Sequence, residues 1–221
     1  MTHLAVRLRN LNRICPITGY DSEKIKVGSQ VVVKTDRGTE IGAIVSFERA
    51  HRGDLEVKLK KVLRYATDED LKKAAELDVR EKDLLTLAKS KAKEYELKIT
   101  CIASEIMFDE SRAIVYYREE DEKKHSQTRD LARELSNASG IKVDLKQLNQ
   151  RDAAKVIGGL GHCGLSLCCA RWLDKPKHVT VKMVKEQGLP VSPSKTSGQC
   201  GRLMCCLAYE VESKEKGEPR K

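Results

Sequence analysis

Apolar and polar positions alternate at the start of the chain: Leu4, Val6 and Leu8 fall two apart, and VVVKTDRGTEIGAIVSF gives two alternating runs around Asp36-Arg37-Gly38. Successive side chains of a strand point to opposite faces, so this pattern predicts small β structure with a hairpin at that turn. Beyond it the period changes. Leu71, Ala74, Ala75, Leu84, Leu85, Ala88, Ala92 and Tyr95 recur at helical spacing, and Thr67 followed by Asp70 forms an acidic variant of a capping box. One long charged helix is expected from Asp68 to about Glu96. KITCIASEIMF and RAIVYY then flank the turn-forming Asp109-Glu110-Ser111, TRDLARELSNASG reads as a short helix, and IKVDLKQL as a further strand. The order helix, strand, strand, helix, strand predicts an α+β fold with a ferredoxin-like layer, both helices lying on one face of an antiparallel sheet.

After Arg151 the texture changes to Gly and Cys. The chain is therefore divided into a small β-rich segment (1–66), a helix plus ferredoxin-like segment (67–150), a Gly/Cys-rich metal-binding module (151–210) and a frayed charged tail (211–221). With 221 residues, 40% hydrophobic and 34% charged, it has the balance of a soluble globular protein able to bury a core. The start, MTHLAVRLRNLNRICP, mixes arginines into its apolar residues, and nothing downstream approaches a membrane-spanning run. Cytoplasmic location without membrane insertion is the expectation. In a reducing cytosol clustered thiols read as metal-binding or redox-active rather than as disulfides.

Six of the eight cysteines lie between Cys163 and Cys206. Residues 158–170 read GGLGHCGLSLCCA and residues 196–207 read TSGQCGRLMCCL; at an offset of 37, Gly161, Cys163, Gly164, Cys168 and Cys169 fall on Gly198, Cys200, Gly201, Cys205 and Cys206. The motif G-x-C-G-x-x-x-C-C thus occurs twice. On one continuous helix, residues five apart would sit about 140° apart around the axis, and Cys163 and Cys168 could not share an ion. The glycine after each first cysteine permits a tight ligand loop instead. Cys163 and Cys200 are therefore placed on Gly-flanked turns, with the Cys-Cys pairs opening the next elements. Adjacent side chains diverge in helices and strands alike, so at least one cysteine of each pair has another task. Four thiolates suffice for tetrahedral zinc or for an iron-sulfur cluster. A C-x4-C spacing belongs to the iron-sulfur repertoire and lies only near that of zinc knuckles, and metal-free thiols remain a third reading. Cys101, inside a predicted strand, and Cys15, beside Pro16, are read as packing residues.

The net charge of +9 is concentrated with the cysteines: residues 151–221 hold 13 Lys and Arg against 7 Asp and Glu, a net +6. Such a field draws nucleic acid or an acidic partner, and is expected to lower thiol pKa values. Lys182, Lys185 and Arg202 are the candidate contacts. Direct single-strand binding also calls for stacking aromatics, yet only 4% of residues are aromatic, with Trp172 and Tyr209 alone in the module. RAIVYYRE does not match the RNA-recognition signature either. A catalytic reading would use a cysteine nucleophile with His162 or His178 as base, but nothing fixes a third group, and GGLG lacks the lysine of a phosphate loop. A non-enzymatic protein is expected, with weak or indirect RNA binding; a zinc-structured nucleic-acid-binding protein is the alternative.

GGLGHCGLSLCC followed by VTVKMVKEQGLPVSPSKTSGQCGRLMCCLAYE resembles the bacterial YaaT family, also called RicT, regulators named for stage-zero sporulation that share the polymerase-suppressor (PSP) C-terminal domain. VGSQVVVKTDRGTEIG, LRYATDEDL and RDAAKVIGG resemble its upstream pattern. Leu165 departs from the Arg expected there, as Arg202 stands in the second motif. The resemblance implies a regulatory subunit that joins RicA-like and RicF-like proteins and assists ribonuclease Y in RNA maturation. It implies an iron-sulfur cluster, expected to be 4Fe-4S, with zinc as the alternative. Cys163, Cys168, Cys169, Cys200, Cys205 and Cys206 are the cofactor and metal ligands that it implies.

Overall fold

The computed structural model describes residues 3–9, 14–18, 26–47, 60–119, 128–171, 173 and 177–215. The chain divides into two compact units, Met1–Gln147 and Leu148–Lys221.

The first unit opens with a closed barrel of β1 (His3–Leu8), β2 (Ile14–Thr18), β3 (Gln30–Thr35), β4 (Gly38–Phe47) and β5 (Lys60–Tyr65), neighbours running β1-β2-β5-β3-β4. Closure comes from β1 pairing antiparallel with β4, Leu8 opposite Gly42. Alternation sends Val6, Leu8, Val31, Val33 and Ile44 inward, joined by Ile17. The β3–β4 hairpin turns at Asp36-Arg37, with Thr35 opposite Gly38, as the sequence pattern predicts.

Helix α1 (Asp68–Glu94) starts at the predicted capping box. The Thr67 hydroxyl accepts from the Asp70 N–H, the Asp70 carboxylate accepts from the Thr67 N–H at 2.9 Å, and Arg64 also binds that carboxylate. Arg64 first, then the Thr67 N–H, hold the Asp70 carboxyl far below its usual range. A cap of this kind stabilises a helix start by about 1 kcal/mol. The buried face is Ala74, Leu77, Leu84, Ala88 and Ala92. Leu71 and Tyr95 are exposed and Leu77 is buried in their stead, which corrects the predicted stripe.

Strands β6 (Ile99–Ile106) and β7 (Ala113–Glu119), helix α2 (Arg129–Ser139) and strand β8 (Val143–Gln147) complete the unit. Leu77, Leu84, Ala88 and Ala92 of α1 share one core with Leu131 and Leu135 of α2 and with Cys101, Val115, Tyr117 and Val143 of the sheet. The sheet order is β6-β7-β8, with β6 and β7 antiparallel. The expected all-antiparallel arrangement does not hold: β8 runs parallel to β7, Ala113 opposite Val143. A helix between two neighbouring strands returns the chain to the end where the first began, so strands joined through α2 run parallel.

Two buried carboxylates of this unit are paired with arginines. Glu81 of α1 accepts from Arg9 at 2.7 Å and from the Ile106 N–H at 2.7 Å. Glu105 of β6 is held by Arg37 and by the Tyr116 hydroxyl at 2.8 Å.

The second unit contains α3 (Gln150–Ile157), α4 (Cys168–Arg171), α5 (Val181–Glu186), α6 (Pro193–Thr196) and α7 (Cys205–Glu215). Its small core joins Val179 and Val184 to Leu207 and Ala208, with Met183, Leu203 and Met204 packed alongside. Trp172, Lys175, the acidic run beyond Glu119 and residues 216–221 of the tail lie outside the described residues. Among the described residues, no helix is long and apolar enough to cross a membrane.

Candidate functional site

The repeat in sequence is also a repeat in backbone bonding. Leu160 bridges Ser166 and, 37 residues on, Ser197 bridges Leu203. The Gly161 N–H donates to the Leu165 carbonyl at 2.8 Å, and the Gly198 N–H to that of Arg202 at 2.8 Å. The Gly164 N–H donates to Gly161 and the Gly201 N–H to Gly198, at 3.0 and 2.9 Å; Leu167 donates to Gly159 and Met204 to Thr196, at 3.2 and 3.0 Å. Each copy is a hairpin knuckle closed by the same bonds. Its turn depends on the glycine after the first cysteine: φ is +76° at Gly164 and +73° at Gly201, a region that residues with a Cβ occupy only at a cost.

This geometry places the thiols. Cys163 and Cys200 stand on the turns, and their Sγ atoms lie near the preceding glycines, 3.6 Å and 3.8 Å from where a Cβ on Gly161 and Gly198 would be. Cys168-Cys169 and Cys205-Cys206 form the first turns of α4 and α7. All six cysteines line one cavity of about 110 Å³, with Leu167, Leu203 and Met204 as its apolar wall and Arg151, His162 and Gln199 among its other lining residues. Two motifs 37 residues apart thus make one pocket, not two.

The thiols interact across the two copies. Burial pushes the Cys168 thiol up, and repulsion from Cys205 and Cys163 adds to it; burial raises Cys169, reinforced by Cys205 and Cys200. Cys206 is pushed up to about 11 by burial, then by Cys168 and Cys205. The expected lowering by the basic field is therefore overturned at these three positions, because burial and the neighbouring thiols outweigh more distant cations such as Lys155, whose effect on Cys169 is small. Among the described residues, no three His, Cys, Asp or Glu side chains are arranged to hold a single metal ion. The donor set is nonetheless a soft one, six thiols lining one open cavity, and it fits a thiolate-ligated centre.

A pH dependence follows. Only the thiolate is alkylated, so its rate rises about tenfold per pH unit below the thiol pKa. Site-resolved iodoacetamide labelling of metal-free protein should show Cys206 still accelerating above pH 9 and levelling only near pH 11. A plateau near the ordinary cysteine value of about 8.5 would mean that the Cys206 environment is not as described.

Lys182 and Lys185 are exposed on α5, where Lys182 lies 3.7 Å from Glu186. Arg202 is exposed on the second knuckle, and none of the three lines the thiol cavity. His162 lines the cavity and His178 does not. Cys101 is buried in the sheet core, its thiol raised by burial, and half-buried Cys15 packs against the barrel core. The cavity's apolar wall escaped the sequence reading, although Leu167 and Met204 are themselves equivalent positions of the repeat.

A β-barrel, an α+β layer and a paired-cysteine unit follow one another along the chain, and two PSP1 family models match parts of it. Residues 60–148 match the PSP1 C-terminal conserved region, and residues 178–218 match the third domain of PSP1-like proteins. The chain is 35% identical over 192 residues to the Stage 0 sporulation protein YaaT of Bacillus subtilis (strain 168), an alignment covering 86% of this chain and 69% of that protein; it belongs to the YaaT family. No solved structure matches it significantly.

Proposed function

We propose that this chain is a non-enzymatic, cytoplasmic regulatory subunit whose two knuckles hold one iron-sulfur centre. Through a complex with RicA-like and RicF-like proteins it assists ribonuclease Y in RNA maturation. The observation that carries the reading is the equivalence of the knuckles around a single thiol-lined cavity. Family membership supports the regulatory role, since the Bacillus relative is named as a sporulation protein; the partners and the ribonuclease come from the family resemblance. The C-x4-C spacing, which belongs to the iron-sulfur repertoire and lies only near that of zinc knuckles, favours a cluster over zinc.

When bound, an iron-sulfur centre supplies a redox-responsive cross-link between the knuckles. This chain's own residues do the rest. Gly164 and Gly201 permit the turns that present Cys163 and Cys200, and the openings of α4 and α7 offer Cys168, Cys169, Cys205 and Cys206. Loading releases protons, because thiols held protonated by burial must become thiolates. Leu167, Leu203 and Met204 provide an apolar wall beside the sulfurs. Exposed Lys182, Lys185 and Arg202 serve weak, salt-sensitive contact with RNA or an acidic partner.

Anaerobic purification of the full chain, alone and with its partner proteins, tests this. The protein should be brown, contain iron and sulfide, and absorb at roughly 400 nm, as expected of thiolate-bound clusters. The complex should assist transcript cleavage that the chain alone does not perform. Stoichiometric zinc in protein made under iron-replete, oxygen-free conditions would overturn the cluster, and cleavage by the isolated chain would overturn the regulatory role.

A further inference from the structure

Helix α3 touches both knuckles. Its last residue, Ile157, leads through Gly158 into the first knuckle, and at its start the Gln150 side chain stands 3.7 Å from where a Cβ on Gly201 of the second would be. Residues three and four apart share one face of a helix, and two observations fix the face that α3 turns to the thiols. Arg151 and Ala154 both line the cavity. Burial raises the Cys169 thiol, and the Lys155 ammonium pulls back against it, so Lys155 is turned the same way. The repeat does not duplicate these cations: at the offset of 37, Arg151 falls on Gly188 and Lys155 on Ser192. One helix therefore brings positive charge to a site that two knuckles build.

Arg151 is half-buried, and among the described residues no carboxylate pairs with it. Its neighbour Asp152 is engaged with Asn149 at the helix cap instead. A guanidinium partly withdrawn from water without a counter-ion gives up hydration and gains nothing in return. The cavity supplies the missing charge once it is loaded. Four thiolates around a core of charge about +2, zinc or a 4Fe-4S cluster alike, leave about two net negative charges. Leu167, Leu203 and Met204 wall the space beside them, and charge held against such a wall is costly unless an opposite charge stands near. Arginine is suited to that task, because it stays protonated, offers only donors and cannot itself displace a thiolate from the metal.

We propose that Arg151 is the charge-compensating residue of the thiol cavity: held there by α3, its guanidinium offsets part of the negative charge of the thiolate-ligated centre and sets how firmly the centre is kept and how readily it is reduced. It is a positioning residue, not a ligand. The proposal rests on the centre described under the proposed function, but not on that centre being iron-sulfur. The test uses the full chain, prepared anaerobically, as wild type and as Arg151→Gln, Arg151→Lys and Lys195→Gln. Lys195 is the control, an exposed cation of the same unit that does not line the cavity. The readouts are the rate at which bound metal is lost to excess EDTA, the midpoint potential of the centre, and the melting of the metal-free proteins.

Arg151→Gln should lose its metal at least about tenfold faster, the low end of the 10–100-fold cost of changing groups around a metal's ligands. Its midpoint potential should move in the negative direction, because reduction adds a negative charge that the arginine no longer meets. Lysine keeps the charge and should restore most of both quantities, while Lys195→Gln should match wild type. Metal-free wild type and Arg151→Gln should melt alike, since the substitution breaks no ion pair. Wild-type metal retention and potential in Arg151→Gln overturn the proposal. An equal effect of Lys195→Gln overturns it too, by showing that the charge of the whole unit acts and not this residue. A lysine variant as impaired as the glutamine one, or a misfolded metal-free Arg151→Gln, assigns Arg151 to packing and overturns it as well. Zinc in place of iron overturns the cluster, and EDTA competition then still decides the role of Arg151; protein that holds no metal in any preparation overturns both.

Discussion

Replacing Arg37 by methionine is expected to destabilise the first unit by about 3–5 kcal/mol, the cost of breaking a buried ion pair on one side. Glu105 is 1% exposed, and its carboxylate has two protein partners named above, Arg37 from the β3–β4 turn and the Tyr116 hydroxyl. Methionine roughly fills the volume of arginine but leaves a carboxylate in the interior with only a neutral donor. The pair itself is worth far less than its breakage costs, because desolvation offsets most of the attraction. Removing both charges in Arg37→Met/Glu105→Met should therefore recover most of the loss. The measurement is hydrogen exchange of β6 and β7 amides under denaturant, which isolates this unit from unfolding elsewhere. Equal destabilisation by the single and double variants would mean that packing, not charge, is what matters at this site.

The same pair shows why part of the fold was legible in sequence and part was not. Local signals read correctly: the Thr67–Asp70 capping box set the start of α1, and Asp36-Arg37-Gly38 set the hairpin. Both depend on residues within a few positions of one another. Strands β2 and β5 carried no such signal. Pro16 sits within β2, and β5 reads KKVLRY, whose charges hide any alternation. Each is a strand because its barrel neighbours demand pairing, Ala5 opposite Pro16 and Val33 opposite Val62. The parallel placement of β8 was likewise non-local, because a crossover decides direction only once both strands are in the sheet.

At the cysteines the duplicated motif predicted the turns and placed the Cys-Cys pairs at the openings of the next elements, which are the helices α4 and α7, since glycine after Cys163 and Cys200 is a local constraint. What spacing did not reveal was the electrostatics. The basic count of the segment pointed to lowered thiol pKa values, whereas burial and six-thiol crowding raise three of them. Net charge is a sum over sequence, and a pKa responds to the nearest groups and to lost water.

Serine at Cys163 or at Cys200 should each remove most of the bound iron, and the two losses should match within about twofold, because a hydroxyl is a poor ligand where a soft thiolate is needed. Matching is expected because the two turns are equivalent in backbone bonding and place both thiols on one cavity. The double variant then decides how many centres there are. If the knuckles share one centre, losing either ligand disables it, and the double variant should be no worse than the single ones, as expected of groups that act as a unit. If each knuckle holds its own centre, each single variant should keep about half the iron and the double variant almost none, which is plain additivity. Cys15→Ser and Cys101→Ser, in the barrel and sheet cores, should leave iron unchanged. Iron and sulfide analysis of anaerobically prepared protein provides the readout. Partner affinity should fall in parallel with iron in Cys163→Ser and Cys200→Ser, because metal binding contributes folding energy that orders the ligand loops. Full iron retention in both single variants would remove the turn cysteines from the ligand set and leave the four helix-opening thiols as the only candidates in the cavity.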